Sequence, residues 1–227
     1  MRAILFDVYG TLLDVHGVAA AADAMFPGKG AALSVLWRTK QIDYTRLRTL
    51  SGRHADFERV TADALEYTFE AMGLAATQAQ RSALLAVYER LPAFPDAAPA
   101  LDALHASGLR LGVLSNGTAR MLEVALGAPG LRDRLDPVLS VETVRRFKTA
   151  PEAYQLGPDA LSLLPGEIGF VSSNAWDIAG AGWFGYRTFW VNRRGEPNER
   201  LGVTPAGTGR CLADVVAWVG AAGEWRA

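Results

Sequence analysis

Hydrophobic positions change their period twice along this chain. Ala3–Phe6 is a run of four apolar residues, too short for a buried helix and suited to a strand packed on both faces. From about Val15 to Leu91 the apolar positions return at helical spacing, with no convincing strand. Val18–Met25 is alanine-rich and is broken by Pro27-Gly28. Ala31–Leu50 sets Leu33, Leu36, Trp37, Tyr44 and Leu47 on helical spacings, and Gly52 ends it. Phe57–Met72 carries a broad stripe of Phe57, Val60, Ala64, Leu65, Thr68, Phe69 and Met72, with Gly73 as its stop. Gln78–Leu91 supplies Leu84, Leu85, Tyr88 and Leu91.

Pro92, Pro95 and Pro99 mark the second change. Short apolar runs then alternate with helical segments. Helices are expected near Ala98–Ala106, over Met121–Leu126 and over Pro151–Leu163, the last interrupted by Gly157-Pro158. Another is expected over Ile178–Phe184, and a final one near Leu212–Val219. Strands are expected over Arg110–Leu114, Val138–Val141, Ile168–Val171 and Thr188–Val191, and a flexible Gly-, Pro- and Arg-rich stretch after the last of these. The alternation predicts an α/β fold, a Rossmann-like parallel sheet with helices on both faces. Residues 15–91 are expected to form an inserted helical cap domain, and residues 1–14 with 92–227 the core domain. An insertion directly after the first strand overhangs the carboxyl edge of the sheet as a lid.

Composition narrows the functional classes. Of 227 residues half are hydrophobic and 21% are charged, with a formal net charge of −1, as in an ordinary globular protein. That balance asks for neither nucleic acid nor an anionic membrane as partner. No window approaches a bilayer span, and Asp7 breaks the layout of a signal peptide. The single cysteine, Cys211, permits no internal disulfide and fits a reducing cytoplasm; it reads as a small buried residue on the last helix.

Candidate chemistry gathers at strand ends. Asp7 sits where the first strand stops, and open parallel sheets bind ligands beyond the carboxyl ends of their strands. Gly10 lets the chain turn away and Thr11 adds a hydroxyl. The competing reading is a turn-capping aspartate. Ser115-Asn116 follows the second predicted strand and Ser172-Ser173-Asn174-Ala175-Trp176-Asp177 follows the fourth. Lys148 and Tyr154 lie between them. Turn chemistry for the Ser-Asn pair and a solvated surface for the lysine are the plainer alternatives.

Asp7 with Thr11-Leu12 resembles the nucleophile motif of the haloacid dehalogenase superfamily, and Ser115, Lys148 and the Ser172–Asp177 segment resemble its later motifs. Most members are phosphatases with a second aspartate two residues after the nucleophile, acting as general acid. Here that residue is Tyr9, and a phenol with a pKa of about 10 is a poor substitute. This points to a leaving group that needs no proton, such as a halide. Magnesium-dependent members hold acidic residues in the last motif, whereas here only Asp177 is acidic, so the resemblance implies neither metal nor cofactor.

Tyr9, Ser115-Asn116, Lys148 with Tyr154, Ser172–Asp177 and the insertion's Leu36-Trp37-Arg38-Thr39-Lys40-Gln41 together resemble the L-2-haloacid dehalogenases. The resemblance implies hydrolysis of short L-2-haloalkanoic acids to D-2-hydroxy acids. Asp7 would attack C2 and form an ester, with inversion. Lys148 would hold Asp7 ionised, Tyr154 would orient Lys148, and Asp177 with Asn174 would activate the hydrolytic water. Thr11 and Ser172 would complete the polar network. Arg38 and Asn116 would cradle the halide, and Ser115 would bind the substrate carboxylate. Tyr9, Ile42, Phe57 and Trp176 would wall the pocket. A 2-haloacid and halide are the implied partners, and a homodimer is possible. Thr39, Thr149 and Gly157-Pro158 depart from the usual family pattern. A superfamily phosphatase and a non-catalytic binding protein on the same fold are the rival readings.

Overall fold

Strand β1 (Ala3–Phe6) is buried at every position, because neighbouring strands and helices cover both of its faces. The structure, a computed structural model, describes residues 1–222. After β1 come helices α1 (Gly17–Met25), α2 (Gly30–Ser51), α3 (Phe57–Ala71) and α4 (Gln78–Glu89). The chain then runs through α5 (Ala97–Ala106), β2 (Arg110–Ser115), α6 (Ala119–Gly127) and β3 (Val138–Ser140). It continues through α7 (Pro151–Leu161), β4 (Ile168–Ser172), α8 (Ala175–Phe184), β5 (Arg187–Val191), β6 (Gly207–Gly209) and α9 (Leu212–Ala222). All strands pair in parallel, in the order β3-β2-β1-β4-β5-β6.

The strand order reverses at β1, whose Phe6 pairs in register with Val113 on one side and Val171 on the other. The carboxyl ends of β1, β2 and β4 therefore open together at a topological switch point, where α/β sheets form crevices. Gly10 has φ +93°, a conformation other residues adopt at a cost, and turns the chain out of β1 toward the helices that follow. Local chemistry sets those helices. Asp56 caps α3 by accepting from the Arg59 N–H, Thr77 and Gln80 form a capping box on α4, and Gly52 ends α2 in the left-handed region. Buried residues of α1–α4 join those of the sheet in one continuous core.

Four sequence expectations need correction. Helix α7 runs unbroken through Gly157-Pro158. Helix α8 begins at Ala175, three residues before the expected start, which puts Asp177 in its first turn. The stretch after Val191 contains a sixth strand, β6, paired with β5. Its Gly-Thr-Gly sequence has no apolar signal, and Gly207 is required because a Cβ there would lie 2.6 Å from the Phe189 ring. Cys211 is half-buried and precedes α9, its backbone N–H donating to Asp214, so it belongs to the turn that starts the helix.

Candidate active site

Asp7 is 6% exposed at the end of β1, and its carboxylate accepts three side-chain hydrogen bonds. Its backbone N–H extends the ladder to Val171. Oδ2 accepts from Thr11 Oγ1 at 2.9 Å and from Asn174 Nδ2 at 2.9 Å. Oδ1 accepts from Lys148 Nζ at 3.1 Å. Thr11 Oγ1 in turn accepts from the Ser173 N–H at 2.9 Å, so its proton is directed at Asp7.

Lys148 precedes α7 and its ammonium also donates to Asp177 Oδ2 at 2.9 Å. Burial alone would lower the lysine pKa; the two carboxylates beside it overcome that and leave it raised. Burial in the first turn of α8 pushes the Asp177 carboxyl up to about 6, with Lys148 opposing and Asp7 adding to the shift. Tyr154, expected from sequence to orient Lys148, meets it through Asp177, which both residues bond. Its hydroxyl donates to Asp177 Oδ1 at 2.7 Å, because α7 packs on α8 and sets the phenol against that first turn. Ser172 Oγ accepts from the Asn174 N–H and acts on the loop, with no bond to Asp7.

Helix α2 crosses above this edge. Its residues Arg38, Ile42 and Thr45 share one helical face and line a cleft with Asp7, Tyr9, Phe57, Ser115, Asn116 and Trp176. The free space is about 10 Å³, room for a single water-sized sphere. A wider hollow of about 500 Å³ shares Arg38, Ile42 and Trp176 with the cleft. Arg38 donates to Gln41 Oε1 at 2.7 Å and to the Tyr9 carbonyl at 3.3 Å. Among the described residues no carboxylate pairs with Arg38, so its charge is uncompensated at the cleft wall.

Two contributors were missed at the level of sequence. Gln41 is fully buried and holds Arg38 and the Tyr88 hydroxyl on one carbonyl oxygen while its amide donates to Thr61. Thr45 lines the cleft directly. Both fall on the helical face that carries Arg38, at three and seven residues on, and that spacing was the available signal.

Asn116 Oδ1 accepts from the Lys148 backbone N–H at 3.0 Å, so what Asn116 can offer a ligand is its amide N–H₂. Ser115 Oγ accepts from the Gly117 N–H, leaving its own proton to donate. The Tyr9 hydroxyl is buried without a hydrogen-bond partner, and burial holds its pKa well above the ordinary value. Among the described residues there is no group of three His, Cys, Asp or Glu placed to hold a metal, and no helix long and apolar enough to cross a membrane.

The family described as haloacid dehalogenase-like hydrolase matches residues 1–185. The (S)-2-haloacid dehalogenase of Pseudomonas sp. (strain YL) is 43% identical over 205 residues, covering 90% of this chain and 88% of that protein. The crystal structure of the L-2-haloacid dehalogenase RSc1362 superposes with a TM-score of 0.96 at 48% identity, covering 97% of this chain and 99% of the other. The L-2-haloacid dehalogenase of Xanthobacter autotrophicus, solved with chloropropionic acid covalently bound, superposes with a TM-score of 0.91 at 35% identity, covering 96% and 98%.

Proposed function

The chain belongs to the haloacid dehalogenase-like hydrolases, and from that premise we propose that it hydrolyses short L-2-haloalkanoic acids to D-2-hydroxy acids through an ester on Asp7. The observation that carries this reading is the pairing of a buried Tyr9 phenol with an unpaired Arg38 guanidinium in one cleft. At Tyr9 the cleft has a buried phenol in place of a carboxylic acid to protonate the leaving group of the first step, and at Arg38 it holds a cation for a group that leaves as an anion.

The two Asp7 oxygens have different duties. Oδ1 has only the Lys148 donor and is the stronger nucleophile; Oδ2 is held by Thr11 and Asn174. Oδ1 attacks C2 from the face opposite the halogen. The new C–O bond forms as the carbon–halogen bond breaks, and the halide departs with the bonding pair toward Arg38 and Asn116 Nδ2. Configuration inverts. Ser115 and neighbouring backbone N–H groups hold the substrate carboxylate. Covalent catalysis divides one difficult displacement into two easier steps.

Water then attacks Cγ of the Asp7 ester and passes its proton to Asp177. Charge develops on Oδ2, which already faces Thr11 Oγ1 and Asn174 Nδ2 at 2.9 Å each. These two donors act as an oxyanion hole that needs no rearrangement. The Cγ–O bond to C2 then breaks, the C2 alkoxide takes up the proton that Asp177 received, and the new Asp7 carboxyl loses its proton to solvent, which releases the hydroxy acid and restores both carboxylates. Tyr9, Ile42, Phe57 and Trp176 keep bulk water from the ester. Arg38, Ile42, Thr45 and Phe57 of residues 15–91 line the cleft, so this segment serves as the lid over Asp7.

Lys148 supplies the positive charge between Asp7 and Asp177, and the reaction as drawn needs no metal. A reducing cytoplasm fits the single cysteine, and sedimentation would test the homodimer that the family resemblance suggests. Halide release from L- and D-2-chloropropionate with EDTA present, beside p-nitrophenyl phosphate with Mg²⁺, tests the whole reading. Chloride from the L isomer alone is expected. Phosphate release without chloride would restore the phosphatase alternative, and silence in both would favour a binding role.

A further inference from the structure

Pro158 stands inside α7 and has no N–H, so the carbonyl four residues back, that of Tyr154, loses its helical donor. The vacancy is filled from elsewhere in the fold. The Tyr186 hydroxyl, at the turn between α8 and β5, donates to the Tyr154 carbonyl at 2.5 Å. Gly157 makes room for it, since a Cβ there would lie 2.2 Å from the Tyr186 hydroxyl oxygen and 2.6 Å from Leu5. On the far side Gly180 makes room for the other end of Tyr154, since a Cβ there would lie 2.5 Å from the Tyr154 hydroxyl oxygen. Tyr154 is thus held at its main chain by Tyr186 and at its phenol by Asp177. All three residues are buried.

We propose that Tyr186 is a positioning residue for ester hydrolysis: by bonding the carbonyl that Pro158 leaves unpaired, it fixes the turn of α7 from which Tyr154 holds Asp177. Gly157, Pro158 and Tyr186 form one device. The proline creates an acceptor, the glycine opens the approach and the tyrosine occupies it. An unpaired buried carbonyl would otherwise sit in the turn that carries Tyr154. The inference rests on the dehalogenase reading for its catalytic half, because only the second step uses Asp177 as base. Alkylation of Asp7 depends on Thr11, Asn174 and Lys148, whereas the Tyr186 hydroxyl bonds the Tyr154 carbonyl.

Rapid-quench mass spectrometry with L-2-chloropropionate separates the two steps in wild type, Tyr186→Phe, Pro158→Ala and the double variant. Tyr186→Phe is expected to slow ester hydrolysis about three- to tenfold, as a small misplacement of a catalytic group does, with alkylation within about twofold. Pro158→Ala returns an N–H to the helix, so the double variant should recover hydrolysis to the level of Pro158→Ala alone. Equal slowing of both steps in Tyr186→Phe, an unaltered ester lifetime, or no recovery in the double variant would each overturn the proposal. Thermal midpoints of the four proteins give the same cycle without substrate, and the two substitutions should be non-additive. Additive shifts overturn the Tyr186–Tyr154 link whatever the reaction. A wild type that forms no adduct and releases no halide would instead overturn the dehalogenase reading and the catalytic half with it.

Discussion

Lys148 Nζ donates to Oδ2 of Asp177 at 2.9 Å, with neither side chain more than 1% exposed. The same ammonium reaches Oδ1 of Asp7 at 3.1 Å. One buried cation therefore serves two buried anions, and their environments differ. Asp7 is met by Thr11, Asn174 and Lys148; Asp177, fully buried, has Lys148 and the Tyr154 phenol. The difference suits one carboxylate to attack carbon and the other to accept a proton.

The Asp177 carboxyl is held up at about 6, chiefly by burial. A base must be ionised, so ester hydrolysis should fall as the pH drops below about 6, at a lower midpoint than in the free enzyme because the Asp7 ester has lost the charge that adds to the shift. Single-turnover ester breakdown, followed from acid to neutral pH, checks this. The groups facing Asp177 are Lys148, Asp7 and Tyr154, and the lysine and phenol pKa values are both raised, so neither titrates in that window. A flat profile through this range would assign the proton to another acceptor.

Asp177→Asn should leave the first step in place and trap its product. An amide cannot take the water's proton, so Asp7 should accumulate as an ester with hydrolysis slowed by on the order of 10²-fold or more. Intact-protein mass after mixing with L-2-chloropropionate reads the adduct. No accumulation, with turnover preserved, would remove Asp177 from the second step.

Asp7→Asn should reduce halide release by at least about 10³-fold, the scale on which losing a nucleophile acts. Steady-state chloride release by the purified variant measures it. Undiminished turnover would show that another group attacks C2.

Arg38→Gln removes the unpaired charge of the cleft and keeps a polar side chain of shorter reach. Alkylation should slow by on the order of 10²-fold, as when one donor to a developing anion is lost. Product inhibition by chloride should weaken in parallel. Intact chloride inhibition with slower turnover would mean that Arg38 shapes the cleft without holding the halide.

EDTA should leave turnover unchanged, since Lys148 bonds both Asp7 and Asp177 and supplies the charge between them. Halide release before and after chelation, then with added Mg²⁺, is the measurement. Loss that Mg²⁺ restores would overturn the metal-free mechanism.

Much of this architecture lies in local pattern. The four-residue apolar run ending at Asp7, the shift to helical period from residue 15 and the return to short strands after Pro92 report backbone periodicity, which neighbouring residues alone express. They mark β1 as a strand packed on both faces in a parallel sheet, with a helical insertion after it that overhangs the carboxyl edge. Tyr9 in place of an acid is likewise a property of the chain read in line. Other features depend on separation in space and on burial. The Lys148–Asp7 contact joins positions 141 apart, and the raised Asp177 carboxyl comes from burial in a site that α7, α8 and the sheet assemble together. The unbroken course of α7 is decided in the same way. Taken alone, Gly157-Pro158 reads as a break; in the fold, Tyr186 supplies the hydrogen bond that proline withholds. Periodicity carries no record of such a partner, because the hydroxyl arrives from a segment 32 residues away.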